Sequence, residues 1–150
     1  MKATASTQPL INSGGQSMSG VTQFAPLIGR ILVAAIFLWS GIGKIGGFAG
    51  TLGYMQSKGV PMAEIALVVT ILVEIGAALM LIVGWKARLG AAALLIWMIP
   101  VTLVFHAFWA VPPDQVQMQT IQFFKNLGLM GAMLLIVGFG SGPYSLDTRR

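Results

Sequence analysis

The sequence predicts an all-α fold, an integral membrane four-helix bundle formed by a single domain. Two observations carry this. The 150 residues are 56% hydrophobic and only 9% charged, far from the roughly 25% charged content of soluble domains. The apolar residues also come in four long blocks rather than at amphipathic spacing, and each block reaches the roughly 20 residues that span about 30 Å of hydrocarbon.

The elements follow in order. Residues 1–23 are rich in Ser, Thr, Gln and Gly, bury too little apolar surface to offset the entropy of ordering, and are expected to be a disordered polar tail. No charged start leads directly into a short apolar stretch and a small-residue cleavage site, so the first span is expected to be retained. The membrane domain is read as residues 24–142, with spans at 25–47, 61–84, 87–109 and 120–139, followed by a C-terminal tail at 143–150. Pro26 sits in the first turn of span one, where a missing amide proton costs nothing. Gly41, Gly43, Gly46 and Gly47 remove bulk near its end, which suits close helix packing in lipid. Residues 48–60 mix Phe48, Leu52, Tyr54 and Met55 with Gln56, Ser57 and Lys58, as expected of a segment lying at the membrane surface. Span two is interrupted by one ionisable residue, Glu74. Span three contains Pro100, expected to kink it, and then His106. A polar loop with Pro112, Pro113, Asp114 and several glutamines leads to span four, which carries Lys125 and Asn126 in its first two turns.

Charge sets an expected orientation. Four spans place both termini on one side, and that side carries Lys2, Arg30, Lys86, Arg88, Arg149 and Arg150 against Lys44, Lys58 and Lys125 on the other, so the termini should be cytoplasmic. Tyr54 and Trp109 would then mark the outer interface, Trp85 and Tyr144 the inner one. The net charge of +5 is spread singly over the ends of apolar blocks rather than clustered with aromatics, so no nucleic-acid partner is expected. The sequence contains no cysteine, which removes disulfides, thiol relays, iron–sulfur ligation and Cys-based zinc sites. One histidine cannot supply a bis-histidine haem, and no His/Glu pair has metal-ligand spacing; no intrinsic haem, cluster or metal is expected.

Helix rise turns these assignments into depths. Lys44, His106 and Lys125 fall roughly 5 to 8 Å from the outer ends of their spans, with Asn126 one residue deeper, whereas Glu74 is about 15 to 18 Å in and Arg30 about 7 Å from the inner edge. A lone carboxylate at that depth is costly, so Glu74 needs a partner, and Arg30, Lys44 and Lys125 are all within reach. Glu74 reads either as a structural ion pair or as a proton carrier or hydrogen-bond partner to a bound headgroup. His106 reads either as an interfacial residue that is solvated or bonds a neighbouring helix or, beside Phe105, Phe108 and Trp109, as one wall of a site for a flat, quinone-like ring. Lys44 and Lys125 either snorkel to the surface or join that site with Asn126.

The strings RILVAAIFLWSGIGKIGGF, LVEIGAALMLIVGW, LVFHAFW and FFKNLGLMGAMLLI, in this order and spacing, together resemble the DoxX family. The resemblance runs from Arg30 to Asp147 and implies a four-helix bacterial inner-membrane protein. In some members it implies a subunit of thiosulfate:quinone oxidoreductase, in others a link to oxidative-stress complexes. Arg30, Lys44, Glu74, His106, Lys125 and Asn126 match the polar positions of that pattern. The expected function is therefore a quinone-interacting subunit of a membrane redox system. Glu74 and His106 are its candidate catalytic residues, and Lys44, His106, Lys125 and Asn126 its candidate quinone-binding residues. The alternative is a non-catalytic assembly or accessory subunit of a larger respiratory or stress-response complex; a lipid or small-molecule transporter is a third reading, weakened by the lack of visible inverted repeats. Partner subunits or a homo-oligomer are expected in the bilayer. Whether the chain is itself an enzyme stays open.

Overall fold

The structure, a computed structural model, describes residues 20–149. The expected N-terminal tail lies outside the described residues up to residue 19, and residues 20–23 form the first turn of a helix. Among the described residues there are five α-helices: α1 Gly20–Gly46, α2 Phe48–Ser57, α3 Ala63–Val83, α4 Ala87–Phe105 and α5 Pro113–Phe139. Single 3-10 turns follow at Phe108–Ala110 and Asp147–Arg149. The stretches Gln23–Gly46, Ala63–Val83, Ala87–Ala110 and Pro113–Phe139 are long and apolar enough to cross a membrane.

The second half of the chain differs most from the sequence expectation. α4 ends at Phe105, and His106 is its C-cap, its amide bonded to the Thr102 carbonyl at 3.0 Å. α5 begins at Pro113, so the stretch read as a polar loop forms its opening turns. The proline pair explains this. Pro113 biases Pro112 to extended backbone, and Pro112 adopts ψ 153° as the N-cap, while Pro113 itself is suited to the first helical position. Asp114 in the first turn complements the positive end of the helix dipole. Pro100 lies inside α4, which continues through it to Phe105.

α1 packs on α3, α3 on α4, and α4 on α5, with α2 folded over the start of α3. Small residues set the spacing. A Cβ on Gly41 of α1 would stand 2.6 Å from Ile75 Cγ1 of α3, and one on Gly90 of α4 would stand 3.1 Å from Met80 Cβ. The main core gathers Ala34 and Phe37 of α1, Ala77, Ala78 and Leu81 of α3, and Leu94 and Met98 of α4 with Met133 of α5. A smaller cluster of Met55, Ala63 and Leu67 seats α2 on α3.

At one end of the molecule the segment expected to be a C-terminal tail folds back. The Asp147 carboxylate accepts hydrogen bonds from the Lys86 and Ala87 amides at 2.8 and 3.0 Å, satisfying donors that a helix N-terminus leaves unpaired. The amide of Asp147 donates to the Gly84 carbonyl at 2.9 Å. Arg30, only 2% exposed, donates to the carbonyls of Pro26, Leu81 and Tyr144 at 3.4, 3.2 and 2.9 Å. One buried guanidinium thus ties α1, the end of α3 and the C-terminal segment together.

Candidate functional site

The site is built on two helix stripes. On α1 the buried residues Arg30, Ala34, Phe37 and Gly41 recur every three or four positions, and Lys44 continues the same face one turn on. On α3 the buried stripe is Ala63, Leu67, Thr70, Glu74, Ala77, Ala78 and Leu81. Gly41 brings the two faces together: a Cβ there would lie 3.4 Å from Glu74 Cβ. Lys44 Nζ consequently reaches Glu74, donating to Oε1 at 3.0 Å and Oε2 at 2.9 Å, and also bonds Ser40 Oγ.

Of the three cations within reach of Glu74 by depth, the structure pairs it with Lys44. Arg30 is engaged by backbone carbonyls near the opposite end of α1. Lys125 is exposed on α5. Glu74 is buried and Lys44 half-buried, with side-chain exposures of 10% and 23%. That residual exposure matters because both side chains border a cavity of about 290 Å³.

The cavity brings together Lys44, Glu74, His106 and Asn126, with Ser40, Thr51 and Thr70 adding hydroxyls. Its apolar wall includes Phe37, Met55, Trp97, Met98 and Phe105, and Tyr54 of α2 lines it as well. Lys125, although adjacent to Asn126 in sequence, does not line it. Neighbouring residues on a helix face different sides, and here Asn126 takes the inward position. Its amide donates to Thr102 Oγ1 at 3.0 Å, tying α5 to α4. His106 Nδ1 lies 2.9 Å from Gln119 Oε1. An amide oxygen can only accept, so Nδ1 donates there and Nε2 is left as an acceptor in the neutral ring.

The aromatic wall differs from the one expected beside His106. Phe105 lines the cavity, but Phe108 and Trp109 stack edge-on with each other and with Phe123 of α5, at centroid distances of 5.0, 5.4 and 5.6 Å, in a separate cluster. The cavity's indole is instead Trp97, whose Nε1 is buried without a hydrogen-bond partner among the described residues. Trp97, Tyr54, Ser40 and Thr70 are lining residues that reading by depth missed. Helical spacing holds the signal for three of them: Ser40 precedes Lys44 by four, Thr70 precedes Glu74 by four, and Trp97, Val101 and Phe105 repeat every four residues. Tyr54 is brought in by the docking of α2, which no local spacing records.

Long apolar helices joined by short turns, with an ion pair held between two of them, define a multi-pass membrane protein. The chain belongs to the DoxX family, whose family model matches residues 25–107. It is 36% identical over 123 residues to the inner membrane protein YphA of Escherichia coli (strain K12), covering 82% of this chain and 88% of that protein. It is also 36% identical over 121 residues to the inner membrane protein YqjF of the same organism, covering 81% and 88%. A Surfeit locus protein 4 homolog of Schizosaccharomyces pombe is 26% identical over 126 residues, 83% of this chain but 37% of that longer protein. No solved structure matches significantly.

Proposed function

We propose that this chain is a bacterial inner-membrane subunit that binds a quinone head group in the cavity beside Lys44 and Glu74, within a membrane redox system. The observation that carries the reading is the Lys44–Glu74 pair placed in the wall of an aromatic-lined cavity with His106. A flat ring with carbonyl oxygens fits such a wall: apolar and aromatic surfaces for its faces, and a few placed polar groups for its oxygens. The donor set also fits. Asn126 keeps a second amide N–H beside its bond to Thr102, and Tyr54 brings a phenol hydroxyl to the lining.

A bound quinone supplies a carrier for two electrons and two protons. The chain's own residues handle position and protons. Lys44 and Glu74 form a pair that can hold a proton or pass one at the cavity edge, and the Gln119 contact fixes the His106 ring. The apolar wall of Phe37, Met98 and Phe105 limits water around them. Electrons would come from a partner subunit. Lys125 has no part in this geometry. Both termini are assigned to the cytoplasm, by the charge asymmetry between the two ends.

Lipid extraction and mass spectrometry of protein purified in mild detergent tests this reading. Quinone should co-purify with the wild type and be lost from Glu74→Gln and His106→Ala. A wild type that retains none, and binds none on titration, refutes it.

One observation favours a second reading, an accessory subunit that docks in a larger complex. Among the residues of α5 only Met133 is buried, while Phe124, Leu134, Leu135 and Phe139 are exposed. Affinity purification from native membranes separates the readings, since an accessory subunit brings a stoichiometric partner and no quinone.

A further inference from the structure

At the end of the molecule opposite the cavity, α1 and α5 face each other across an apolar groove of about 340 Å³. Pro26, Gly29 and Val33 form one wall, and Ala132, Ile136 and Phe139 the other. Gly29 leaves open space above its backbone. The groove runs out at Gly140 and Gly142, whose positive φ values of 86° and 69° favour glycine. The same two glycines and Phe139 border a second depression that holds Lys86 and Arg88. Bare backbone at residue 140 makes room for Arg88, since a Cβ there would stand 3.2 Å from Arg88 Nε.

Lys86 and Arg88 are exposed and make no ion pair among the described residues. Asp147 shares the depression, with its carboxylate on the Lys86 and Ala87 amides, so two cations face one acid. The buried Arg30 adds positive charge at the end of the groove. Trp85 and Tyr144 are exposed at this end, as aromatic side chains are at a bilayer interface.

We propose that this combined feature is a binding site for an anionic phospholipid, with an acyl chain in the α1–α5 groove and the phosphate against Arg88 and Lys86. Charge complementarity selects the occupant. A free phosphate accounts for the cations but leaves the apolar groove unfilled, and a zwitterionic lipid fills the groove without answering the excess positive charge. The site is independent of the quinone reading and lies on different residues.

Native mass spectrometry of delipidated protein in mild detergent tests it, with phosphatidylglycerol, phosphatidylcholine of the same chains, and inorganic phosphate as probes. Phosphatidylglycerol should be retained about fivefold or more over phosphatidylcholine, the weight of roughly one basic residue near an anionic lipid. Arg88→Gln should remove most of that preference and Arg88→Lys restore it, while Gly29→Leu should weaken both lipids by filling the groove. Both Arg88 variants change an exposed side chain, and an unchanged thermal melt confirms that each is folded. Equal retention of the two lipids overturns the proposal. So does a preference that survives both Arg88→Gln and Lys86→Gln, or inorganic phosphate binding as tightly as phosphatidylglycerol.

Discussion

Glu74 shows how much one residue demands of its surroundings. A carboxylate on the buried face of α3 is tolerable because Lys44 meets both of its oxygens, at 3.0 and 2.9 Å. Removing one member leaves the other charged and unpaired, which costs about 3 to 5 kcal/mol for a fully buried pair. The 23% exposure of Lys44 places this pair at or below the lower end. Thermal unfolding in detergent should therefore show Glu74→Leu and Lys44→Met each destabilised by up to about 3 kcal/mol, with Lys44→Met/Glu74→Leu recovering most of the loss. If the double variant is as unstable as the sum of the singles, the pair does not act as a unit. Asn126 is a milder case. Asn126→Leu removes its bond to Thr102 and should cost about 1 kcal/mol in the same assay.

At the scale of elements, contact between helices depends on absent side chains. Gly41 lets α1 approach α3 closely enough for Lys44 to reach Glu74. Gly41→Val should push the helices apart and cost at least as much as the loss of Glu74's partner; native-state proteolysis in detergent would show faster cleavage than in the wild type. The start of α4 depends on a distant residue. Asp147→Ala removes the acceptor for the Lys86 and Ala87 amides at the start of α4 and should cost about 1 kcal/mol, with Asp147→Asn retaining part of it, read from thermal unfolding. Gly84 is less tolerant still. Its φ is 69°, and a Cβ would run into Arg30 and Ser145, so Gly84→Ala should unseat the C-terminal segment and lower the melting temperature more than Asp147→Ala does.

Over the whole molecule, the two ends are chemically different. One end gathers Arg30, Lys86, Arg88 and the folded-back C-terminal segment. The other carries α2, the cavity and the Phe108–Trp109–Phe123 cluster. Reporter fusions at the C-terminus should be active only in cytoplasmic form if the basic end faces inward; activity of an outward-only reporter would reverse the orientation. The same polarity separates the two candidate ligand sites, and variants at Arg88 should leave quinone retention unchanged.

The long apolar blocks, the isolated Glu74 and the polar strings of the family pattern were legible because each is local: hydropathy over about 20 residues decides whether a segment can cross lipid, and a single intramembrane charge stands out against it. The extent of α5 was less legible. A proline pair can end one helix or start another, and polar residues before an apolar block look the same whether coiled or helical. The aromatic wall was assigned by adjacency to His106, yet Phe108 and Trp109 turn away in a 3-10 turn while Trp97, two turns back on α4, lines the cavity. The sequence by itself determined that this protein lives in a membrane, that Glu74 needs a partner, and that Lys44, His106 and Asn126 lie at similar depth. Only the tertiary structure decided that the partner is Lys44, that Lys125 stays outside, and that Asp147 caps α4, because those outcomes depend on how closely helices approach and which face each turns inward.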